Sequence, residues 1–161
     1  MDVRPLTPED VDQALEVLED AVLSQAAGLY TPAQVQAWAG HGRRSPELRQ
    51  ALLRGRGLVS CGLVSWGGSQ HSTVEALALL DPIDRLSLLY CRGRSSRQGR
   101  ASKLLNGVEM IARDHGCQQL RTEASQLSRP LLERHGWQVD AEETALYAGV
   151  LFVRWRMIKA L

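Results

Sequence analysis

The chain has no excess of either charge. Over 161 residues, 19 basic side chains stand against 18 acidic ones, a formal charge of +1, so no global field draws it to nucleic acid or to an anionic membrane surface. Cysteine is sparse: Cys61, Cys91 and Cys117 are odd in number and far apart. That excludes a disulfide framework and a C-x-x-C metal or redox motif, and sets a reducing cytoplasm as the expected location. No run approaches the ~18 apolar residues of a membrane span, and Met1-Asp2-Val3-Arg4-Pro5 lacks an apolar signal region, so a soluble, unexported protein is expected. His41, His71, His115 and His135 show neither His-x-x-x-His nor Cys/His ligand spacing, and no metal is expected. Internal repeats and low-complexity linkers are absent too.

What is present is 44% hydrophobic content, enough for one core in one domain spanning 1–161. Residues 2 to 6 read as a strand. Thr7-Pro8-Glu9-Asp10 then supplies a capping hydroxyl, a first-turn proline and acids at the positive end of a helix dipole. Val11, Leu15, Leu18 and Val22 recur at helical spacing toward Gly28. Thr31-Pro32-Ala33-Gln34 repeats the device as a capping box, and Ser45-Pro46-Glu47 does so more weakly, so the first third is helical. From Gly57 the texture becomes β-rich: 58 to 66, 73 to 80 and 86 to 91 read as a three-stranded antiparallel meander, broken at Gly67-Gly68-Ser69 and Asp81-Pro82. Helical period returns over 102 to 115, followed by a strand over 118 to 124 and a helix over 127 to 135 whose start Pro130 leaves open. Strands over 137 to 147 and 150 to 159 close the chain as a hairpin around Ala148-Gly149. The order predicts an α/β sandwich with a mixed, mostly antiparallel sheet flanked by helices.

Arg92-Gly93-Arg94-Ser95-Ser96-Arg97-Gln98-Gly99-Arg100-Ala101 lies between a predicted strand and a predicted helix. Small residues at such a turn let backbone N–H groups converge, and the helix N-terminus adds partial positive charge, so the turn can hold a pyrophosphate, with Arg97 and Arg100 in support. The local alternative is an ordinary loop and helix cap.

Gln98-Gly99-Arg100-Ala101-Ser102-Lys103-Leu104-Leu105 resembles the phosphate-binding loop of the GNAT acyltransferases, Gln/Arg-x-x-Gly-x-Gly/Ala, matching at Gly99 and Ala101. The segments Leu120 to Ser125, Arg129 to Trp137 and Arg156 to Leu161 look like further GNAT signatures, in order. The resemblance is close from about Leu88 onward and architectural before it. It implies a sheet splayed between strands four and five, with the pantetheine arm of acetyl-coenzyme A bonded to backbone groups of Leu89, Tyr90 and Cys91. The phosphates would meet Arg97, Gln98, Gly99, Arg100, Ala101 and Ser102, and Ser125 would touch the arm as a hydroxyl donor.

The implied reaction is direct acetyl transfer to a primary amine, on a small molecule or a protein, with no metal, no nucleic acid and no membrane partner. Two positions depart from the family pattern. Ser96 stands at the Gln/Arg position, preceded by Arg92-Gly93-Arg94, whose arginines are candidates to pair with phosphate directly. Leu132 stands where many relatives carry a tyrosine that protonates the departing thiolate. Glu75 is the candidate general base, or else a solvent-facing strand residue; Tyr147 is the candidate substitute acid, or else a packing residue. Trp38 is the aromatic best placed for substrate contact, and Glu123 faces either cleft or solvent. Competing functions are a GNAT module that binds coenzyme A or a protein without turnover, and nucleic-acid binding through Arg92, Arg94, Arg97 and Arg100.

Overall fold

Arg4 fixes the start of the fold. Its guanidinium donates to both oxygens of Asp10, at 2.7 and 2.9 Å, and Asp10 also accepts from the Thr7 backbone N–H and hydroxyl. The Asp10 side chain is buried, and these donors, Arg4 foremost, hold its carboxyl at about 2, below the usual range. The edge strand β1 (Asp2–Pro5) is thereby tied to the start of α1 (Val11–Gln25).

The computed structural model describes residues 2–161. After α1 come three short helices, α2 (Pro32–Ala39), α3 (His41–Arg44) and α4 (Pro46–Arg54), then the meander β2 (Arg56–Trp66), β3 (Ser69–Leu80) and β4 (Arg85–Cys91). The second half is α5 (Arg100–Asp114), β5 (Gln119–Ala124), α6 (Arg129–Arg134), β6 (Gln138–Tyr147) and β7 (Val150–Ala160). The seven strands form one sheet in the order β1-β2-β3-β4-β5-β7-β6, antiparallel throughout except where β4 meets β5.

Local chemistry explains the boundaries. Thr31 and Gln34 complete the capping box of α2, and the Ser45 hydroxyl caps α4 by accepting from the Leu48 N–H. Arg129 and Pro130 form the first turn of α6, where a missing N–H costs nothing, so this helix starts two residues later than the apolar pattern suggests. The β2–β3 ladder runs to Trp66↔Ser69, four residues beyond the expected start of β3, because Gly67 and Gly68 both adopt positive φ in a two-residue turn. Ala148 and Gly149 turn the β6–β7 hairpin in the same way. The helix α3 carries no periodic signal and was not expected.

β3 is buried on both faces from Val74 to Leu80. Leu77 and Leu79 pack with α1, α2 and α4, while Ala76, Ala78 and Leu80 pack with α5, α6, Trp137 and Met157. The sheet thus separates two apolar layers, as the sandwich reading expects. Beneath the second layer a buried carboxylate, Glu109, accepts from Lys159 Nζ at 2.8 and 2.9 Å and from Trp137 Nε1 at 3.2 Å. No described helix is long and apolar enough to cross a membrane.

Candidate active site

β4 and β5 share only two register pairs, Arg85↔Arg121 and Leu86↔Thr122. Two local features end their pairing. In the β3–β4 ladder Leu79 faces Leu88 but Leu80 faces Leu86, so Ser87 is an extra, bulged residue that bends β4 away. The Thr122 hydroxyl meanwhile donates to the Leu86 carbonyl at 2.6 Å, occupying an oxygen that a continuing ladder would use. Beyond this point the strands diverge around a cleft of about 980 Å³.

The open edge of β4 is polar and partly unpaired. The Arg92 N–H donates to the Glu75 carbonyl, so by alternation Tyr90 and Leu88 also turn their backbone groups toward β3, and Leu89 and Cys91 turn theirs to the cleft. Gln25 Nε2 takes the Cys91 carbonyl at 2.8 Å. The Leu89 N–H and carbonyl and the Cys91 N–H remain available to an extended ligand. The Tyr90 backbone, expected among the arm's partners, is committed to β3 instead.

At the far end of β4 a turn leads into α5. Arg97 and Gly99 have φ of 59° and 82°, which turns successive N–H groups toward one side. Gly99 caps α5, and the first bond of that helix runs from the Lys103 N–H to the Gly99 carbonyl. The N–H groups of Arg100, Ala101 and Ser102 therefore lie in the open first turn of a 15-residue helix. Ser95, Ser96, Arg97, Gly99, Arg100, Ala101 and Ser102 line the cleft; Gln98 is exposed and does not.

The loop's arginines are used differently from expectation. Arg94 forks onto Glu75, with Nε 2.9 Å from Oε1 and Nη2 2.7 Å from Oε2. Arg92 donates to the Val74 carbonyl and pairs with Glu16. Arg100 folds back onto β2, reaching the Ser60 hydroxyl at 2.8 Å and the Cys61 carbonyl at 3.1 Å, so its guanidinium is committed to that strand. Neither Arg92 nor Arg94 lines the cleft, and Arg92, Arg94 and Arg100 all engage in internal bonds. Arg97 stays exposed. Arg134, in the last turn of α6, also lines the cleft, a position without sequence signal.

Glu75 is not placed as a base. It is the bulged residue between the pairs Ser60↔Ala76 and Cys61↔Val74. It does not line the cleft, and besides Arg94 it accepts from the Ser95 hydroxyl at 2.6 Å and the Thr73 hydroxyl at 2.7 Å. Burial alone would raise its pKa, but these hydrogen bonds overcome that and hold it at about 2. A carboxylate so held is a weak proton acceptor and a strong anchor for the loop that begins at Gly93, whose own N–H is fixed by Asp20 at 2.8 Å.

Tyr147 also lies outside the cleft lining, stacked edge-on against His41 and Phe152, with its hydroxyl accepting from Arg154 at 3.0 Å. Trp38 acts at one remove: its Nε1 donates to the Tyr90 hydroxyl at 3.1 Å, and Tyr90 lines the cleft. Leu132 lines the cleft and is 1% exposed. Ser125 lines it too; its oxygen accepts from the Leu127 and Ser128 N–H groups, and it lies 3.2 Å from the Ser128 hydroxyl, a pair in which either can donate. His115 and His135 end α5 and α6, and His135 Nε2 lies 3.1 Å from the Ser102 hydroxyl. Among the described residues no cluster of three or more His, Cys, Asp or Glu side chains is arranged to hold a metal.

Many solved structures match this chain in overall fold. A GCN5-related N-acetyltransferase from Rhodopseudomonas palustris superposes with a TM-score of 0.86 at 20% identity, over 99% of this chain and 95% of that one. The chain has the GNAT fold. The PaiA N-acetyltransferase of Thermoplasma acidophilum, in complex with coenzyme A, matches over the full length of both chains with a TM-score of 0.70 at 15% identity. A ribosomal-protein-alanine N-acetyltransferase from Brucella melitensis also matches over both full lengths, at 0.63 and 17%. No family model matches the sequence, and no curated protein matches it significantly. On this GNAT fold, function has to be argued from the site.

Proposed function

We propose that the chain, acting as one domain in a reducing cytoplasm, transfers an acetyl group from acetyl-coenzyme A to a primary amine. The observation that carries this reading is the split between β4 and β5, whose unpaired edge at Leu89 and Cys91 leads to the N–H cradle of α5. An extended amide-bearing arm ending in a pyrophosphate fits that combination: the edge supplies strand-like hydrogen bonds, and the open helix turn supplies donors and positive potential. Bound there, acetyl-coenzyme A brings a thioester that a neutral amine attacks directly. The Leu89 N–H is the deeper free donor and faces the carbonyl oxygen on which negative charge develops. Arg97 and Arg134 offset the phosphate charge, and Ser125 donates to the arm. Glu75 serves indirectly, by holding Arg94 and Ser95 and so the loop itself.

Calorimetric titration with acetyl-coenzyme A, followed by thiol release against a panel of primary amines and N-terminal peptides, tests the reading. Saturable binding with release for at least one amine is expected. Absence of binding at millimolar cosubstrate would sink it.

A second reading, a module that binds coenzyme A without turnover, is favoured by one observation: the apolar, buried Leu132 at the expected acid position. A thiol of pKa about 8.5 leaves tolerably well without an acid, so transfer remains the preferred reading. Binding without release across the panel would favour the second.

A further inference from the structure

The chemistry proposed above needs a proton acceptor, because a primary amine near neutral pH is mostly protonated and must lose a second proton as the amide forms. Resting on that reading, we propose that Glu123 of β5 takes the acceptor's proton. Neither Glu75 nor Tyr147 reaches the cleft. Among the residues lining it, Glu123 is the one carboxylate. The other titratable groups there do not serve: burial pushes the Tyr90 phenol up to about 12 and the Cys91 thiol up to about 11, and the arginines stay cationic.

Position supports the assignment. Glu123 follows Thr122, the last β5 residue paired with β4, and so stands at the closed end of the split beside the bulged Ser87. Ser87 and Cys91 are four strand residues apart, roughly 13 Å at the usual rise, a depth comparable with an extended pantetheine arm reaching in from the cradle. Along β5, Leu120, Thr122 and Ala124 are buried and Glu123 half-buried. Leu120 and Ala124 pack in the α5–α6 layer, which turns Glu123 to the opposite face, the one covered by α1 and α2. The cleft is bounded on that side by Ala21, Ser24, Gln25 and Leu29.

Glu123 Oε2 accepts from Arg85 Nε at 2.9 Å, while Oε1 has no hydrogen bond among the described residues. Arg85 is itself steadied by the Asp81 carbonyl at 3.3 Å. One oxygen is thus held in place and the other is open to an amine, directly or through one water. The charged groups on the face of Glu123 are Arg85 on β4, Arg156, its register partner on β7, and Arg121, two residues back on β5 and itself paired with Asp84. In the step, the amine nitrogen bonds to the thioester carbonyl carbon, the carbon–sulfur bond breaks, the nitrogen's proton passes to Glu123, and the sulfur leaves as thiolate. The proton on Glu123 then returns to solvent or to the thiolate.

The test compares the wild type with Glu123→Gln and Glu123→Asp, using acetyl-coenzyme A and an amine the wild type accepts. Thiol release is followed from about pH 6 to 10, and coenzyme A is titrated calorimetrically into each protein. Glu123→Gln is expected to bind coenzyme A as the wild type does and to lose ~10²–10⁴-fold in kcat/KM at neutral pH. The deficit should close as pH approaches the amine's own pKa near ~10. Glu123→Asp keeps a carboxylate and should lose less, with the same trend; it decides the matter if Glu123→Gln fails to fold. Wild-type rates in both variants, or a deficit independent of pH, would overturn the assignment while leaving acyl transfer standing. Lack of thiol release by the wild type with every amine would overturn both.

Discussion

Replacing Glu75 by Gln keeps the shape of the side chain and removes its charge, so it isolates what the carboxylate contributes to the loop. The carboxyl sits at about 2 in the folded protein against an ordinary value of 4.5, a difference of roughly 2.5 pKa units. At 1.36 kcal/mol per unit this corresponds to ~3 kcal/mol of folded-state stabilisation. Arg94 is half exposed and can return to water, and Arg92, 3.7 Å from Glu75, keeps Glu16 and the Val74 carbonyl as partners, so the variant keeps no buried uncompensated cation. A loss of ~2–3 kcal/mol is expected, and in a chain of this length that lowers the melting temperature by roughly 4–12 °C.

Because the folded pKa is depressed, the contribution is fully present above about pH 4.5 and is lost as pH falls toward 2. The wild type and Glu75→Gln should therefore differ in melting temperature at pH 7 and converge in acid. Thermal unfolding followed by circular dichroism across pH checks this, and titration with coenzyme A checks the loop, whose affinity should fall as Ser95 and Arg94 lose their anchor. Equal stability at pH 7, or a gap that does not narrow below pH 4, would refute the clamp.

Gly99→Ala meets no atom within 4 Å but forces a Cβ into φ +82°, so a cost of ~1–2 kcal/mol with weaker coenzyme A binding is expected, measured by unfolding and calorimetry. Lys159→Met strips the buried Glu109 of its ion-pair partner and should cost ~3–5 kcal/mol at pH 7, visible in denaturant unfolding. The double variant Glu109→Met with Lys159→Met should recover much of it. Leu132→Tyr places a phenol at the cleft wall; overpacking at a site 1% exposed should cost ~1–3 kcal/mol, while single-turnover thiol release with an accepted amine should rise if protonation of the thiolate limits the rate.

Period and punctuation made most of the elements legible. The α1 stripe from Val11 to Val22, the capping box at Thr31 and Gln34, and the Ala148-Gly149 turn are signals within a few residues of one another, and such signals survive whatever the rest of the chain does. The cradle at Gly99 to Ser102 was legible for the same reason: a helix N-terminus after a glycine is a local object. Side-chain assignments fared differently. Arg92, Arg94 and Arg100 read as phosphate ligands by their place in the loop, yet their partners Glu16, Glu75 and Ser60 come from distant segments. Glu75 read as a possible base because a strand carboxylate looks the same whether it faces a cleft or a bulge turns it inward.

Apart from α3, the order of strands and helices, the turn residues and the helix N-terminus after Gly99 were set by the sequence alone, since backbone propensity and capping act over three or four residues. Where β4 and β5 part, which face Glu123 takes, and which arginines are free depended on long-range register. A one-residue bulge at Ser87 or at Glu75 redirects side chains through pairing partners that only the folded sheet brings together.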